Sequence, residues 1–180
     1  MTGLLQAQYF DKNNYTGIGV ETRFPIDQPL FYGTGKFKDG FDFSKLLPGT
    51  ILTKDANGFI EVGGSSDIYA GVVRYTDVFK DEYENPTTYQ NMRLSFLNTG
   101  FWFTLYAESA ITKRQVIVMN QLTGKVKGIN KGDPVPVGYT LFTSTEGDPF
   151  IYAEQDSKIY KSLHQQPDIL GVYAKININF

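Results

Sequence analysis

Few side chains in this sequence could carry acid–base, nucleophilic or metal chemistry. The chain has one histidine, His164, and no cysteine. A Ser-His-Asp arrangement would have to run through His164, since an imidazole is the group that takes a hydroxyl proton near neutral pH. His164 stands between Leu163 and Gln165, near the end of an expected helix, where a polar side chain caps the helix or faces solvent. Zinc held by His and Cys is excluded, because one His and no Cys cannot supply three ligands without a carboxylate majority. The densest carboxylate group is Asp77, Asp81, Glu82 and Glu84. It lacks the ligand order and turn glycine of an EF-hand loop and reads as a solvated loop, with an irregular calcium loop or an acid/base pair as the alternatives.

Phosphate chemistry fares no better. Gly33-Thr34-Gly35 is followed by Lys38 where a dinucleotide loop would place its third glycine, and Gly124-Lys125 has neither the upstream glycine spacing nor the following Ser or Thr of a P-loop. No cofactor is expected. Lys and Arg (17) nearly balance Asp and Glu (19), giving a net charge of −2. That balance offers no footprint for nucleic acid, so Lys36-Phe37-Lys38 and Arg74-Tyr75 read as strand residues rather than base-stacking sites. With the best-marked chemistries absent, the chain reads as a structural or binding protein and not as an enzyme.

The residues left for contact are aromatic. Phe (14) and Tyr (12) are abundant. Trp102 and Tyr106 share one face of an alternating segment whose other face holds Phe101, Phe103 and Leu105. If nothing within the domain covers Trp102 and Tyr106, they form a partner surface. Tyr9 and Phe10 are the bulky pair of a polar N-terminal segment, and Tyr83 lies in the acidic loop. Tyr9, Phe10, Tyr83 and Trp102 are the candidate partner contacts.

The elements that would position these residues are short strands. Gly17–Phe24 alternates, and Gly33–Gly40 reads as a turn region. A short helical turn is expected over Phe43–Leu47. Thr50–Thr53 and Phe59–Val62 flank Asp55-Ala56-Asn57-Gly58, a hairpin signal because Asn-Gly accepts the positive φ angles of tight turns. Ile68–Tyr75 is a further strand. A second hairpin is expected for Met92–Leu97 and Phe101–Tyr106 around Asn98-Thr99-Gly100, and a third for Gln115–Met119 and Gly124–Lys127. Short strands are expected at Tyr139–Phe142 and Phe150–Ala153, a helix over Asp156–Leu163, and a last strand at Ile176–Phe180. Laying Leu52–Val62 over Val118–Gly128 puts Gly58 on Gly124, and Ala70-Gly71-Val72 then resembles Leu170-Gly171-Val172. This reads as a degenerate internal duplication, or as two hairpins sharing only what hairpins share.

The expected fold is all-β, a β-barrel or β-sandwich with one short helix. Its 180 residues make one domain over 17–180, preceded by an arm over 1–16 and carrying a protruding loop at about 77–90. The N-terminal residues lack the basic and apolar regions of a signal peptide and read as a cytoplasmic start. No apolar run approaches the ~20 residues of a membrane-spanning helix, so no membrane partner is expected.

Pro48-Gly49-Thr50-Ile51-Leu52, the Asp55–Gly58 turn, Phe59-Ile60-Glu61-Val62 and Ile68-Tyr69-Ala70-Gly71-Val72-Val73 together resemble a recurring unit of tailed-bacteriophage head decoration, or cement, proteins. The resemblance covers about residues 46–75 and, more faintly, 115–175. It implies a non-enzymatic, β-rich virion protein, often a homotrimer, made in the host cytoplasm. Such a protein binds the major capsid protein on the outside of the head shell and stabilises it against internal DNA pressure. The long stretch Thr76–Arg114 and the aromatic load depart from the simplest pattern. They leave open a carbohydrate- or receptor-binding β module such as a head fibre or tail component.

Overall fold

The computed structural model describes residues 21–23, 31–34, 36–42, 45–73, 93–96, 101–160 and 168–177, with backbone alone for 21–23, 31–34, 93–96 and 101–102. Two hairpins organise it, each turned by an acid or amide side chain and closed by a glycine. In the first, β4 (Ile51–Lys54) and β5 (Phe59–Val62) pair with Leu52 opposite Val62. Asp55 Oδ1 accepts the N–H groups of Asn57 at 2.8 Å and Phe59 at 2.9 Å, and Gly58 takes the positive φ of +81°. In the second, β9 (Val116–Asn120) and β10 (Val126–Ile129) pair with Met119 opposite Val126. Asn120 Oδ1 accepts from Leu122 at 2.9 Å and Thr123 at 3.3 Å, and Gly124 closes the turn at φ +67°.

Each hairpin seeds a sheet. The six-stranded sheet runs β2 (Phe31–Thr34), β7 (Arg93–Phe96), β6 (Tyr69–Val72), β4, β5, β3 (Lys36–Phe37). The eight-stranded sheet runs β1 (Glu21–Arg23), β8 (Phe101–Tyr106), β14 (Ile169–Ile176), β12 (Ile151–Ala153), β9, β10. Beside this path, β11 (Tyr139–Leu141) pairs with β9 and β13 (Lys158–Tyr160) pairs with β14. The fold is all-β and sandwich-like, and the sheets do not close into the expected alternative of a barrel.

Alternation along β4 divides the core. Ile51 joins Val72 in a cluster with Phe103, Leu105, Met119, Phe142, Ile151, Val172 and Ile176 of the larger sheet and its loops. Leu52 points the other way, into a smaller cluster with Phe37, Leu46, Ile60, Val62, Ala70 and Val73. A fully buried aliphatic of this size contributes roughly 1.5–3 kcal/mol through removal from water, so both faces of β4 are stabilising.

The sheets are also joined by backbone. Ile51 N–H donates to Gly124 O at 2.8 Å, Gly64 N–H to Gln121 O at 2.7 Å, and Tyr106 N–H to Gly49 O at 2.9 Å. This approach leaves no room for side chains. A Cβ on Gly124 would lie 2.7 Å from Ile51 O, and one on Gly63 would lie 2.6 Å from Gln121 O.

Several expectations need correction. Lys158–Tyr160, inside the expected helix Asp156–Leu163, is strand β13. Asp156, the expected cap, accepts instead from Lys113 N–H at 2.7 Å across the fold, and Ser157 Oγ accepts from Ile111 N–H at 2.8 Å. These contacts and pairing with β14 outweigh helix periodicity. No helix occurs among the described residues. The expected second hairpin is split: β7 pairs with β2 and β6, whereas β8 pairs with β1 and β14 in the other sheet. A turn signal at Asn98–Gly100 specifies a local bend, not the sheet that the next strand joins. The region Gly33–Gly40 contributes strand residues to β2 and β3. Ile176, the first residue of the expected last strand, ends β14, and Ile178–Phe180 lie outside the described residues.

The duplication also takes a different form. The strands placed beside β9 as β6 lies beside β4 are β11, with Leu141 opposite Val118, and β12, with Tyr152 opposite Val116. Leu170-Gly171-Val172 belongs to β14, one strand farther out. The shared part is thus the hairpin and a neighbouring antiparallel strand. The arm over 1–16 and the loop at about 77–90 lie outside the described residues.

The seam generates a direct comparison. Gly124→Ala must strain a left-handed backbone and also displace Ile51 O, so it is expected to cost roughly 2–4 kcal/mol of unfolding free energy. Gly132 has φ +93° with nothing within 4 Å of the site of a Cβ, so Gly132→Ala should cost only about 1 kcal/mol. Urea denaturation of both variants against the wild type measures the difference, and equal losses would remove the seam as the cause.

Candidate functional site

The turn between β9 and β10 exposes an apolar side chain where polar residues are the rule. Asn120 folds its Oδ1 back onto Leu122 and Thr123 N–H, leaving Leu122 84% exposed. The link from β10 to β11 reaches the same end of the molecule: Gln121 N–H donates to Gly138 O at 2.9 Å, and Gln121 Nε2 donates to Thr140 Oγ1 at 3.1 Å. Val137, the residue before Gly138, is fully exposed at 101%, and Val135 is also exposed. Asp133-Pro134-Val135-Pro136-Val137 is stiffened by two prolines with fixed φ. Two rigid tips, locked together by backbone, therefore present aliphatic side chains to solvent.

A polar and aromatic border flanks these tips. Glu108 accepts a short hydrogen bond from the Tyr139 hydroxyl and another from Asn120 Nδ2 at 3.0 Å. The bond to Glu108 raises the Tyr139 phenol above its usual value of 10.0, since ionisation would set a phenolate against a carboxylate. Lys125 Nζ stands 4.3 Å from the centroid of Tyr106, and Lys127 Nζ stands 5.6 Å from that of Tyr139. An apolar centre with a charged, hydrogen-bonded border is the arrangement found at protein contact surfaces.

Two other groups draw attention on chemical grounds. Lys38 Nζ lies 2.7 Å from Asp55 Oδ2 and 3.1 Å from Glu61 Oε1, tying the 36–40 segment to the first hairpin. The hydrogen bond from Lys38, opposed by desolvation and assisted by Phe59 and Asn57 N–H, holds the Asp55 carboxyl below its usual 3.8. Bonds to Asp55 and Glu61 raise Lys38 correspondingly. This surface network fastens a turn.

Tyr69 is the second group. Its ring packs edge-on against Phe142 at 5.5 Å and Phe150 at 5.8 Å. Part of the residue reaches the surface, yet its hydroxyl is buried with no hydrogen-bond partner among the described residues, and burial raises the phenol well above 10.0.

Among the described residues, no three His, Asp or Glu side chains converge as a metal site, and no helix is long and apolar enough to cross a membrane. Tyr9, Phe10 and Tyr83 lie outside the described residues, as do His164 and the carboxylates Asp77, Asp81, Glu82 and Glu84. Trp102 is placed by its backbone in β8, opposite Thr22 and Lys175. Its expected companion Tyr106 is half-buried beneath Lys125. Leu122 and Val137 were not among the sequence candidates. The available signal was an apolar residue inside each of two turn-like stretches, Gln121-Leu122-Thr123-Gly124 and Pro136-Val137-Gly138. Comparison with protein-family models, curated proteins and solved structures gives no match for the chain.

The Asp55 and Tyr69 environments make opposite predictions. Asp55 has a folded pKa below its unfolded value, so its contribution is present above the unfolded value and is lost as pH falls through the folded one. Asp55→Asn keeps a turn acceptor but removes the ion pair, so the acid limb of its stability–pH profile should be shallower than that of the wild type. Tyr69→Phe removes an unpaired buried hydroxyl and should stabilise by about 1 kcal/mol. A Tyr69→Phe variant less stable in urea would mean that the hydroxyl has a partner in solution.

Proposed function

We propose that the protein is a non-catalytic assembly protein, a virion component that binds the outside of a capsid shell formed by a major capsid protein. The observation that carries the reading is the pair of stiff, solvent-exposed aliphatic tips, Leu122 and Val137, held together by the Gln121–Gly138 hydrogen bond. Exposing these side chains in free protein gains nothing, whereas covering them against another protein removes apolar area from water. The resemblance of residues 46–75 to phage head decoration proteins supplies the class of partner. Multiple copies on a lattice, trimeric in the arrangement that this resemblance implies, would turn a small contact into firm retention.

The alternative of a sugar- or receptor-binding module in a head fibre or tail draws less support from the described surface. A glycan platform needs an open aromatic face, and Lys125 and Lys127 stand over the Tyr106 and Tyr139 rings.

The test is co-sedimentation with shells assembled from the major capsid protein encoded in the same genome. Wild-type protein should pellet with the shells. Leu122→Ser combined with Val137→Ser should weaken retention about tenfold or more, since each buried aliphatic contributes on the order of 1–2 kcal/mol and 1.4 kcal/mol is a factor of ten. Wild-type protein that stays in the supernatant at saturating shell concentration would overturn the proposal.

A further inference from the structure

The end of β9 opposite Leu122 carries an exposed feature of another kind. Residues 111–115 and 153–157 are laced together by backbone and side chain. Arg114 N–H donates to Ala153 O and Ser157 N–H to Ile111 O, both at 2.8 Å. Ile111 N–H donates to Ser157 Oγ at 2.8 Å, Lys113 N–H to Asp156 Oδ1 at 2.7 Å, and Thr112 N–H to Gln115 Oε1 at 3.0 Å. At the tip of this frame stands Arg114, the one non-glycine among the described residues with positive φ, at +73°. Left-handed backbone crowds a Cβ against the neighbouring carbonyl, so glycine or asparagine would be the less strained occupant. The strain is held by a network of five bonds, and the side chain it supports is an exposed guanidinium.

The neighbouring groups define what that guanidinium could meet. Lys113 and Asp156 are exposed beside it. Asp156 engages Lys113 through the backbone N–H, and among the described residues its carboxylate forms no ion pair with either cationic side chain. Ile159, on β13 just beyond, is 57% exposed. The patch thus presents both signs of charge on a hydrogen-bonded frame, with exposed Ile159 three residues along the chain from Asp156. A polyanion fits poorly, because it would meet Asp156 and a chain of net charge −2. A patch carrying both signs can meet a second copy of itself across a two-fold axis with each cation opposite the other copy's carboxylate.

We propose that this end of the domain is a two-fold contact between copies of the chain, in which Arg114 of each copy pairs with Asp156 of the other around Ile159. The planar fork of arginine suits bidentate pairing with a carboxylate, and the strained but fixed loop presents it already oriented. The contact is separate from the Leu122 end and stands whether or not that end binds a shell. It doubles the mass of whatever unit the remaining surfaces build, a single chain or a trimer.

Sedimentation equilibrium of the full chain tests it with wild type, Arg114→Glu, Ile159→Asp and Arg114→Gly. The wild type should sediment at twice the mass of Arg114→Glu and of Ile159→Asp, and high salt should weaken its pairing about tenfold or more. Arg114→Gly relaxes the backbone and removes the charge, so its thermal midpoint should rise while its mass falls to that of Arg114→Glu. This opposite movement separates loss of contact from loss of fold. Equal masses for wild type and Arg114→Glu, or pairing retained in Arg114→Gly, would overturn the proposal.

Discussion

The structure depends on one close approach, where the turn of the second hairpin meets the end of the first with only glycine between them. Gly124 O accepts from Ile51, Gln121 O accepts from Gly64, and neither Gly124 nor Gly63 has space for a Cβ. Backbone groups that would otherwise need water are satisfied across the junction. The approach also fixes Ile51 at the point where the two sheets share a core, so Ile51 and Val72 pack with Phe103 and Met119 rather than facing solvent. Without this approach the described parts of the sheets would be joined by side-chain packing and the bond from Tyr106 N–H to Gly49 O, and side-chain packing tolerates sliding more readily than directed hydrogen bonds do.

The same junction decides what the surface presents. Because Gln121 is bonded both to Gly64 and to Gly138, the 120–125 turn and the proline-stiffened link are held as one unit. Leu122 and Val137 consequently project from fixed positions. At the other end of β9, hydrogen bonds from the 153–157 segment serve the same purpose for Lys113 and Arg114. One strand, held at both ends, carries an aliphatic tip and a charged tip in opposite directions. A scaffold of that kind suits adhesion, in which contact geometry must be set before the partner arrives.

Polar groups in the described part act mainly as fasteners. Asp55 and Asn120 close turns, Lys38 bridges Asp55 and Glu61, and Glu108 gathers Asn120 and Tyr139. Tyr69 is the exception, with its ring in an aromatic cluster and its hydroxyl unpaired. An unmatched buried hydroxyl costs stability, and the edge-on contacts with Phe142 and Phe150 offset part of that cost.

The sequence by itself determined the all-β class, the two hairpins and their turn glycines. Those features rest on alternation and on the chemistry of Asp, Asn and Gly within a few residues of one another. It also narrowed the chemistry, because one His and no Cys are facts of composition. Tertiary structure decided that β7 and β8 part into different sheets, that Lys158–Tyr160 is a strand, and that β11 and β12 rather than the Gly171 strand neighbour β9. It alone revealed the second role of Gly124, the exposure of Leu122 and Val137, and the strained Arg114. The physical reason is the same in each case. A turn residue states its own φ and a strand states its own alternation, but strand partners, close backbone approaches and solvent exposure belong to pairs of segments far apart in the chain.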